Sequence, residues 1–256
     1  MLNITCSSLS SAPSGYRDAD ALCQGLRVDE KPQYHLFAPE SIAGRIATYQ
    51  RRRMYEAFLT STGIQQKDTI LDLGVTSDRS WSSSNYLECW YPLKNRITAC
   101  SVDNARFLEE MYPGLKFVLA DGRNLPFADL EFDYVHSSAV VEHVGSRENQ
   151  AAFLREAYRV ARKGVFVTTP NRWFPVEFHT VTPFAHWLPA AFFRKLCKMR
   201  GLDFFASEEN LNLLSTFQLG RLAKEAGLTN FKVTSLSLAG WPSNLLLSAT
   251  FNRAEQ

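Results

Sequence analysis

The chain has 256 residues with 28 basic and 26 acidic side chains, a formal net charge of +2. This near balance gives no electrostatic basis for binding nucleic acid, and an apolar content of 45% excludes disorder throughout. The length fits one medium α/β domain with an elaboration, or two small domains. No run reaches the length of a transmembrane helix, and the first residues lack the order of a signal peptide. We therefore expect a cytoplasmic protein.

The cysteines are scattered and form no CxxC pair. They are Cys6, Cys23, Cys89, Cys100 and Cys197. This spacing predicts reduced thiols in the cytoplasm and no cysteine-bound metal.

Two regions precede the first strand. Residues 1–38 show no sustained hydrophobic period, which predicts a partly disordered N-terminal strap ahead of a main domain spanning 39–256. Pro39 to Gly63 has apolar residues at helical spacing. Its Arg51-Arg52-Arg53 cluster is typical of a solvated helix face. The alternative is that one arginine, or Tyr49, leans over the carboxylate of a ligand.

Strands and helices then alternate. The predicted strands are Thr69–Leu73, Ile97–Val102, Lys116–Ala120, Phe132–Ser137, Gly164–Thr169, Phe231–Leu238 and Leu245–Phe251. The predicted helices are Ser82–Tyr91, Ala105–Met111, Asn149–Ala161, Ala191–Arg200 and Thr216–Ala226. Such alternation implies right-handed crossovers and a mostly parallel sheet with helices on both faces. The last two strands are joined too closely for a helical crossover and should pair antiparallel.

Residues 171–213 interrupt the alternation with aromatic residues and prolines. We expect a cap over an apolar or ring-bearing substrate, with Asn171, Trp173 and His179 contacting it. A small packing domain or a dimer surface is an equally good interpretation, so the oligomeric state stays open. Glu177, His179 and His186 lack recognisable ligand spacing, so no metal site is predicted. The basic helix face within Ala191–Arg200 is interpreted as solvated, with peripheral contact to anionic lipid as an alternative.

Three acids end successive strands: Asp72, Asp103 and Asp121. In an open α/β sheet, ligands bind beyond the carboxyl ends of the strands. A carboxylate there can accept hydrogen bonds from ribose hydroxyls or an exocyclic amine. A single acid after a strand is more often a helix cap or turn former, but three in order favour a nucleoside-type ligand.

Several segments together resemble the class I S-adenosylmethionine-dependent methyltransferases. They are Leu71-Asp72-Leu73-Gly74, Val102-Asp103, Ala120-Asp121-Gly122, Leu125-Pro126-Phe127, Phe132 to Ser138 with Val141-Glu142-His143-Val144, and Gly164 to Asn171. The resemblance covers about Asp68 to Phe251. It implies a Rossmann-like seven-stranded sheet with an antiparallel last strand, and S-adenosylmethionine as the cofactor.

The resemblance also implies residue roles. Asp72, Gly74, Val75 and Thr76 would approach the methionyl part. Asp103 would bind the ribose, with Asn104 beside the adenine, while Asp121, Gly122 and Arg123 would border the adenine edge. Ser137 and Ser138 would lie under the sulfonium and its methyl group.

The first loop departs from the family pattern. Gly74 is present, but Thr76 and Asp78 occupy the positions of two further glycines. Glycine permits close approach and positive φ, so we expect a wider loop whose hydroxyls replace backbone contacts. The missing glycines also argue against a dinucleotide, whose pyrophosphate needs a glycine-rich turn.

The implied reaction is an in-line displacement at a methyl carbon, which needs alignment of the reactants and exclusion of water. Where the acceptor carries a proton, His143 with Glu142 beside it is the candidate base. The alternative is a structural histidine that bonds to the backbone. We expect a small-molecule or lipid-like acceptor. Two other hypotheses are a binding or scaffold protein of this fold without turnover, and a nicotinamide-dependent oxidoreductase.

Overall fold

The computed structural model describes residues 41–79 and 81–251. The predicted strap at 1–38 lies outside these residues. Among the helices described, none is long and apolar enough to cross a membrane. In the described part of the chain, Cys89, Cys100 and Cys197 are buried and form no disulfide.

A seven-stranded sheet forms the centre of the fold. Its strands are β1 (Ile70–Leu73), β2 (Ile97–Ser101), β3 (Lys116–Leu119), β4 (Phe132–Ser138), β5 (Ala161–Pro170), β8 (Lys232–Leu238) and β9 (Trp241–Thr250). A separate hairpin is made of β6 (Val176–Glu177) and β7 (Thr182–Pro183). The order across the sheet is β3-β2-β1-β4-β5-β9-β8, and β9 pairs antiparallel with both of its neighbours. The predicted fold class is confirmed, including the antiparallel closing strand.

Six α-helices surround this sheet in the described part of the chain. They are α1 (Ile42–Thr62), α2 (Tyr86–Trp90), α3 (Phe107–Met111), α4 (Arg147–Val160), α5 (Ala190–Met199) and α6 (Thr216–Glu225). The Ser41 side chain caps the start of α1, and Gly63 ends it with a left-handed φ of 60°. Both boundaries lie within three residues of those predicted, because cap residues are readable from sequence.

The predicted helix at Ser82–Tyr91 is divided. Residues Ser82–Asn85 form a 3₁₀ turn, and only Tyr86–Trp90 is α-helical. Consecutive serines and an asparagine are poor helix formers because their side chains compete for backbone hydrogen bonds. All five residues of α2 are buried, so this short helix is part of the core.

The arginine cluster of α1 does not form a solvated face. The Arg51 guanidinium lies 4.3 Å from the centre of the Trp81 ring, and that of Arg52 lies 4.9 Å from the centre of the Trp90 ring. Arg53 donates a hydrogen bond of 2.6 Å to the carbonyl of Ser237. Each arginine therefore ties α1 to another segment, which the spacing within α1 alone does not reveal.

The two faces of the sheet carry separate apolar cores. One core includes Phe153 and Leu154 of α4 with Leu219 of α6. The other includes Phe58 of α1 and Leu87 of α2. The sheet is thus covered on both sides, as parallel strands require.

The segment 171–213 has a third apolar cluster of its own. It includes Phe193 and Cys197 of α5 with Phe205 and Leu211. The segment leaves the sheet directly after β5 and so lies at the carboxyl edge of the parallel strands. Assigning it as a substrate cap stays a prediction.

Candidate functional site

A crevice opens where the strand order reverses, between β1 and β4. It is lined by Asp72, Gly74, Val75, Ser84, Asn85, Tyr86, Leu87, His136 and Ser138. This is the topological switch point, the usual ligand position in an open α/β sheet. Asp72, Gly74, Val75 and Ser138 were predicted as site residues from the sequence.

The turn after β1 requires glycine at position 74. Gly74 has a φ of 95°, and a Cβ there would lie 2.3 Å from Cγ2 of Val140. Its N–H donates to the carbonyl of Cys100 at 2.7 Å, so the turn is anchored to β2. The contact with Val140 and the positive φ therefore require glycine at position 74, which is the first glycine of the family pattern.

The loop that lacks the other glycines is held by Asn85. Its amide oxygen accepts from the N–H of Thr76 at 2.9 Å, and its amide nitrogen donates to the Thr76 carbonyl at 2.9 Å. The Thr76 hydroxyl accepts from the N–H of Asp78 at 3.1 Å. The side chains of this loop therefore stabilise the loop itself, and a hydroxyl contact from Thr76 to a ligand remains a prediction.

A buried hydrogen-bond network runs below the crevice. His136 Nδ1 lies 2.7 Å from Asp72 Oδ1, and its Nε2 lies 2.9 Å from the Tyr86 hydroxyl. Burial lowers the pKa of His136 to about 4, so the ring is neutral near pH 7. Nδ1 then donates to Asp72, and Nε2 accepts from Tyr86. Burial likewise raises the pKa of Asp72 to about 7, although hydrogen bonds from Glu88 and Leu73 oppose the increase.

Glu88 of α2 lies beside Asp72 and is fully buried. Burial, followed by the charge of Asp72, raises the pKa of Glu88 well above its usual value. Two buried carboxyl groups in contact cannot both be ionised at low cost. Glu88 is therefore the protonated member, and its hydrogen is available to Asp72.

The second and third acids lie at the adjacent strand ends. Asp103 and Asn104 are exposed beyond β2, and Asn104 Oδ1 accepts from the N–H of Arg106 at 3.1 Å. Asp121 is held by Arg123 at 2.6 Å, and this hydrogen bond lowers the pKa of Asp121. Gly122 is buried against Phe153, where a Cβ would approach to within 2.7 Å.

The two serines at the end of β4 differ in their environment. Ser137 is fully buried and donates to the carbonyl of Leu73 at 2.7 Å, which links β4 to β1. Ser138 lines the crevice, and its hydroxyl lies 3.0 Å from that of Thr168 on β5. Because the Ser137 side chain is buried, Ser137 would contact a sulfonium only through its backbone.

His143 and Glu142 lie in a 3₁₀ turn after β4. His143 Nδ1 donates to the carbonyl of Asn210 at 2.6 Å, a backbone bond of the kind expected of a structural histidine. Its Nε2 lies 3.0 Å from Nε2 of His179. Glu142 is fully buried and accepts from the Thr169 hydroxyl at 2.8 Å, and burial raises its pKa to about 7. His179, which was predicted to contact the substrate, therefore lies next to His143, which was predicted to be the base.

The two other predicted substrate residues lie at the start of the 171–213 segment. The Asn171 amide nitrogen donates to the carbonyl of Pro242 at 3.0 Å, and its oxygen accepts from the N–H of Trp173 at 3.1 Å. Trp173 is 49% exposed, so its ring is accessible. Asn171 therefore holds the start of the 171–213 segment in place, whereas the Trp173 ring is exposed and can contact a ligand.

Sequence reasoning missed Ser84, Asn85, Tyr86, Glu88 and His136. Ser84 and Asn85 come from the 3₁₀ turn before α2, Tyr86 and Glu88 come from α2, and His136 comes from within β4, so none of them lies at a strand end. The available signals were two ionisable residues in buried elements, Glu88 in α2 and His136 in the middle of β4. A buried charge needs a partner, and these two residues supply partners for Asp72.

Comparisons with known proteins agree with this geometry. A protein from Pyrococcus horikoshii has a TM-score of 0.54 at 14% identity, over 86% of this chain and 99% of its own. A putative methyltransferase from Bacillus halodurans scores 0.53 at 14% identity, over 80% and 99%. The 1,6-didemethyltoxoflavin-N1-methyltransferase of Burkholderia thailandensis, solved with 1,6-didemethyltoxoflavin and S-adenosylhomocysteine, scores 0.52 at 13% identity, over 87% and 93%. No curated protein sequence matches the chain.

The sheet order, the antiparallel β9 and the crevice at the switch point define a class I methyltransferase fold, which these solved structures share. Residues 85–168 match the family model described as a methyltransferase domain. The matched residues and the shared fold agree with the S-adenosylmethionine-dependent methyltransferase domain that the sequence predicted.

Proposed function

We propose that this protein transfers a methyl group from S-adenosylmethionine to a small-molecule or lipid-like acceptor in the cytoplasm. The observation that carries the proposal is the crevice at the switch point, where the Asp72–Gly74 turn faces Ser138. The segment 171–213 is proposed as the substrate cap and residues 1–38 as a separate N-terminal strap.

In this proposal the cofactor lies across the ends of β1, β2 and β3. Asp72, Gly74, Val75 and Thr76 contact its methionyl part, Asp103 its ribose, and Asn104 with Asp121, Gly122 and Arg123 its adenine. Asp103 is exposed at the strand end, which suits a carboxylate that accepts two ribose hydroxyls. Ser137 and Ser138 border the sulfonium.

The buried acid pair supports a cationic ligand. S-adenosylmethionine carries an ammonium group and a sulfonium, and a positive charge near Asp72 favours its ionised form. Glu88 stays protonated, and His136 holds the Asp72 carboxylate in one orientation. The protein thereby aligns the methyl donor and excludes water, which are the main requirements of an in-line transfer.

Exposed aromatic side chains support an apolar or ring-bearing acceptor. Trp173 is 49%, Phe184 53% and Trp241 48% exposed, and Trp241 stacks on Trp187. Asn171, Trp173 and His179 are the proposed acceptor contacts, with His143 and Glu142 beside them. The Burkholderia methyltransferase, which has the same fold, is named for 1,6-didemethyltoxoflavin and was solved with it bound.

In the test, the protein is incubated with a cell extract and methyl-labelled S-adenosylmethionine. The label in each fraction of the extract is then measured. The proposal predicts label in the organic-extractable or low-molecular-weight fraction with the wild type, and at least tenfold less with Asp103→Ala. Glu110→Ala, at an exposed position on α3, is the matched control and should behave as the wild type. Label mainly in acid-precipitable RNA or protein would contradict the proposed acceptor class.

A further inference from the structure

Glu142, His143 and His179 converge on one point at the carboxyl edge of the sheet. One ligand-type atom from each lies within 4.8 Å of those of the other two. The two residues on the 3₁₀ turn after β4 meet a histidine from the 171–213 segment. We propose that these three side chains form a binding site for a divalent transition-metal ion of the zinc class.

The tautomers of the two histidines follow from their partners. His143 Nδ1 faces the carbonyl of Asn210 at 2.6 Å, which can only accept a hydrogen bond. His179 Nδ1 faces the carboxylate of Glu177 at 2.7 Å. Both Nδ1 atoms therefore carry hydrogen, which leaves a lone pair on each Nε2 for a metal.

These lone pairs point at each other. The two Nε2 atoms are 3.0 Å apart. Two imidazole ligands at about 2.0–2.1 Å from a tetrahedral zinc lie roughly 3.3 Å apart, so a small side-chain shift brings both into coordination. A cation between the two nitrogens removes their mutual repulsion.

Glu142 supplies the negative charge. Its side chain is fully buried, and its Oε1 has no hydrogen-bond partner. This oxygen lies 3.9 Å from His143 Nε2, while Oε2 is held by the Thr169 hydroxyl at 2.8 Å. A buried, unpartnered carboxylate oxygen aimed at two imidazole lone pairs is an unfavourable arrangement that a metal ion makes favourable.

The surrounding groups have the arrangement that orients metal ligands. One histidine donates to a carboxylate and the other to a backbone carbonyl, as metal-ligating histidines commonly do. Glu177 is itself fixed, since its oxygens also accept from the N–H groups of His179 and Thr180 at 3.0 and 2.5 Å. Two histidines and one glutamate are the donor set of zinc sites that keep a position open for water or substrate.

The first test uses isothermal titration of zinc chloride into the full-length protein after chelation and dialysis. We expect one equivalent bound by the wild type. His179→Asn and Glu142→Gln should weaken binding at least tenfold. Glu177→Gln should weaken it by about 10- to 100-fold through loss of ligand orientation. The matched control is His186→Gln, a buried histidine of the same segment that bonds to the Phe174 carbonyl. This control should bind as the wild type does.

Two further readouts keep the proposal falsifiable if a variant folds poorly. Zinc at 100 times its dissociation constant should raise the melting temperature of the wild type by about 5–10 °C. Cobalt should give the intense visible spectrum of a four-coordinate site. No zinc binding by the folded wild type, or binding unchanged in all three site variants, would overturn the proposal and indicate a proton shared between the two histidines. S-adenosylhomocysteine binding, measured on the same samples, reports separately on the proposed function.

Discussion

Asp72 belongs to a buried hydrogen-bond network and, in the proposed binding mode, contacts the methionyl part of the cofactor. Its carboxylate faces His136 and Glu88, with Tyr86 one bond further away. Because His136 is neutral and Glu88 is protonated, Asp72 is the member of the network that changes charge near pH 7. The protein's affinity for the cofactor should therefore depend on whether Asp72 is ionised.

We expect the affinity for S-adenosylhomocysteine, which keeps the methionyl ammonium, to rise with pH. With a pKa of about 7 for Asp72, its ionised fraction rises by about tenfold between pH 6 and pH 8. The association constant should rise by up to that factor, and Asp72→Asn should bind more weakly with little pH dependence. Calorimetric titrations at both pH values measure this. Equal pH slopes in the wild type and the variant would exclude Asp72 as the titrating group.

The backbone conformation at Gly74 leaves no room for a side chain. Gly74→Ala would place a Cβ 2.3 Å from Val140 at a φ of 95°. The positive φ costs about 1–2 kcal/mol and the overlap about 1–3 kcal/mol, so the unfolding free energy should fall by about 2–5 kcal/mol. Urea unfolding measures the change.

Gly201→Ala is the control for this prediction, because Gly201 has a φ of 71° with no atom within 4 Å of a Cβ. The unfolding free energy of this variant should fall only by the cost of the positive φ, about 1–2 kcal/mol. Equal losses in the two variants would show that the contact with Val140 is unimportant.

At the scale of elements, the short helix α2 is unusual because a fully buried glutamate lies within it. The strands bordering the crevice, β1 and β4, were both predicted from the sequence. The role of α2 was not, because its contribution depends on how a five-residue helix packs between α1 and the sheet. The serine-rich sequence before it was predicted to be part of the same helix, and nothing local indicated that Asn85 would hold the Thr76 loop.

Glu88 makes this helix sensitive to pH. Its pKa is raised in the folded protein, so the folded state holds the proton more tightly than the unfolded state. Its contribution to stability is therefore present at low pH and is lost as pH rises above the unfolded value. Glu88→Gln keeps a donor toward Asp72 but has no proton to lose. Relative to the wild type, its unfolding free energy should increase from pH 5 to pH 8, by at most about 1.4 kcal/mol per pH unit.

Urea unfolding of both proteins at pH 5, 6.5 and 8 measures this difference. Glu110→Gln, on the exposed side of α3, should show no such trend. A difference between Glu88→Gln and the wild type that is constant with pH would mean that Glu88 is ionised in the folded protein.

At the scale of the whole molecule, the sequence was sufficient to predict a mostly parallel seven-stranded sheet with an antiparallel last strand, but the order of the strands came from the structure. Alternating strands and helices determine a doubly wound sheet, and the short connection before β9 determines its antiparallel direction. The cluster of Glu142, His143 and His179 was not predictable, because His179 is 36 residues from His143 and meets it only when the 171–213 segment folds back on the end of β4. Sequence spacing compared His179 only with Glu177 and His186, and it predicted no metal site.

The central claim is that the crevice between β1 and β4 binds S-adenosylmethionine. Calorimetric titration of the purified full-length protein with S-adenosylmethionine tests this claim most directly. We predict one equivalent bound with a dissociation constant in the micromolar range, and at least tenfold weaker binding by Asp103→Ala, which loses the charge-assisted bonds to the ribose. Absence of binding by the folded wild-type protein at millimolar cofactor would contradict the claim.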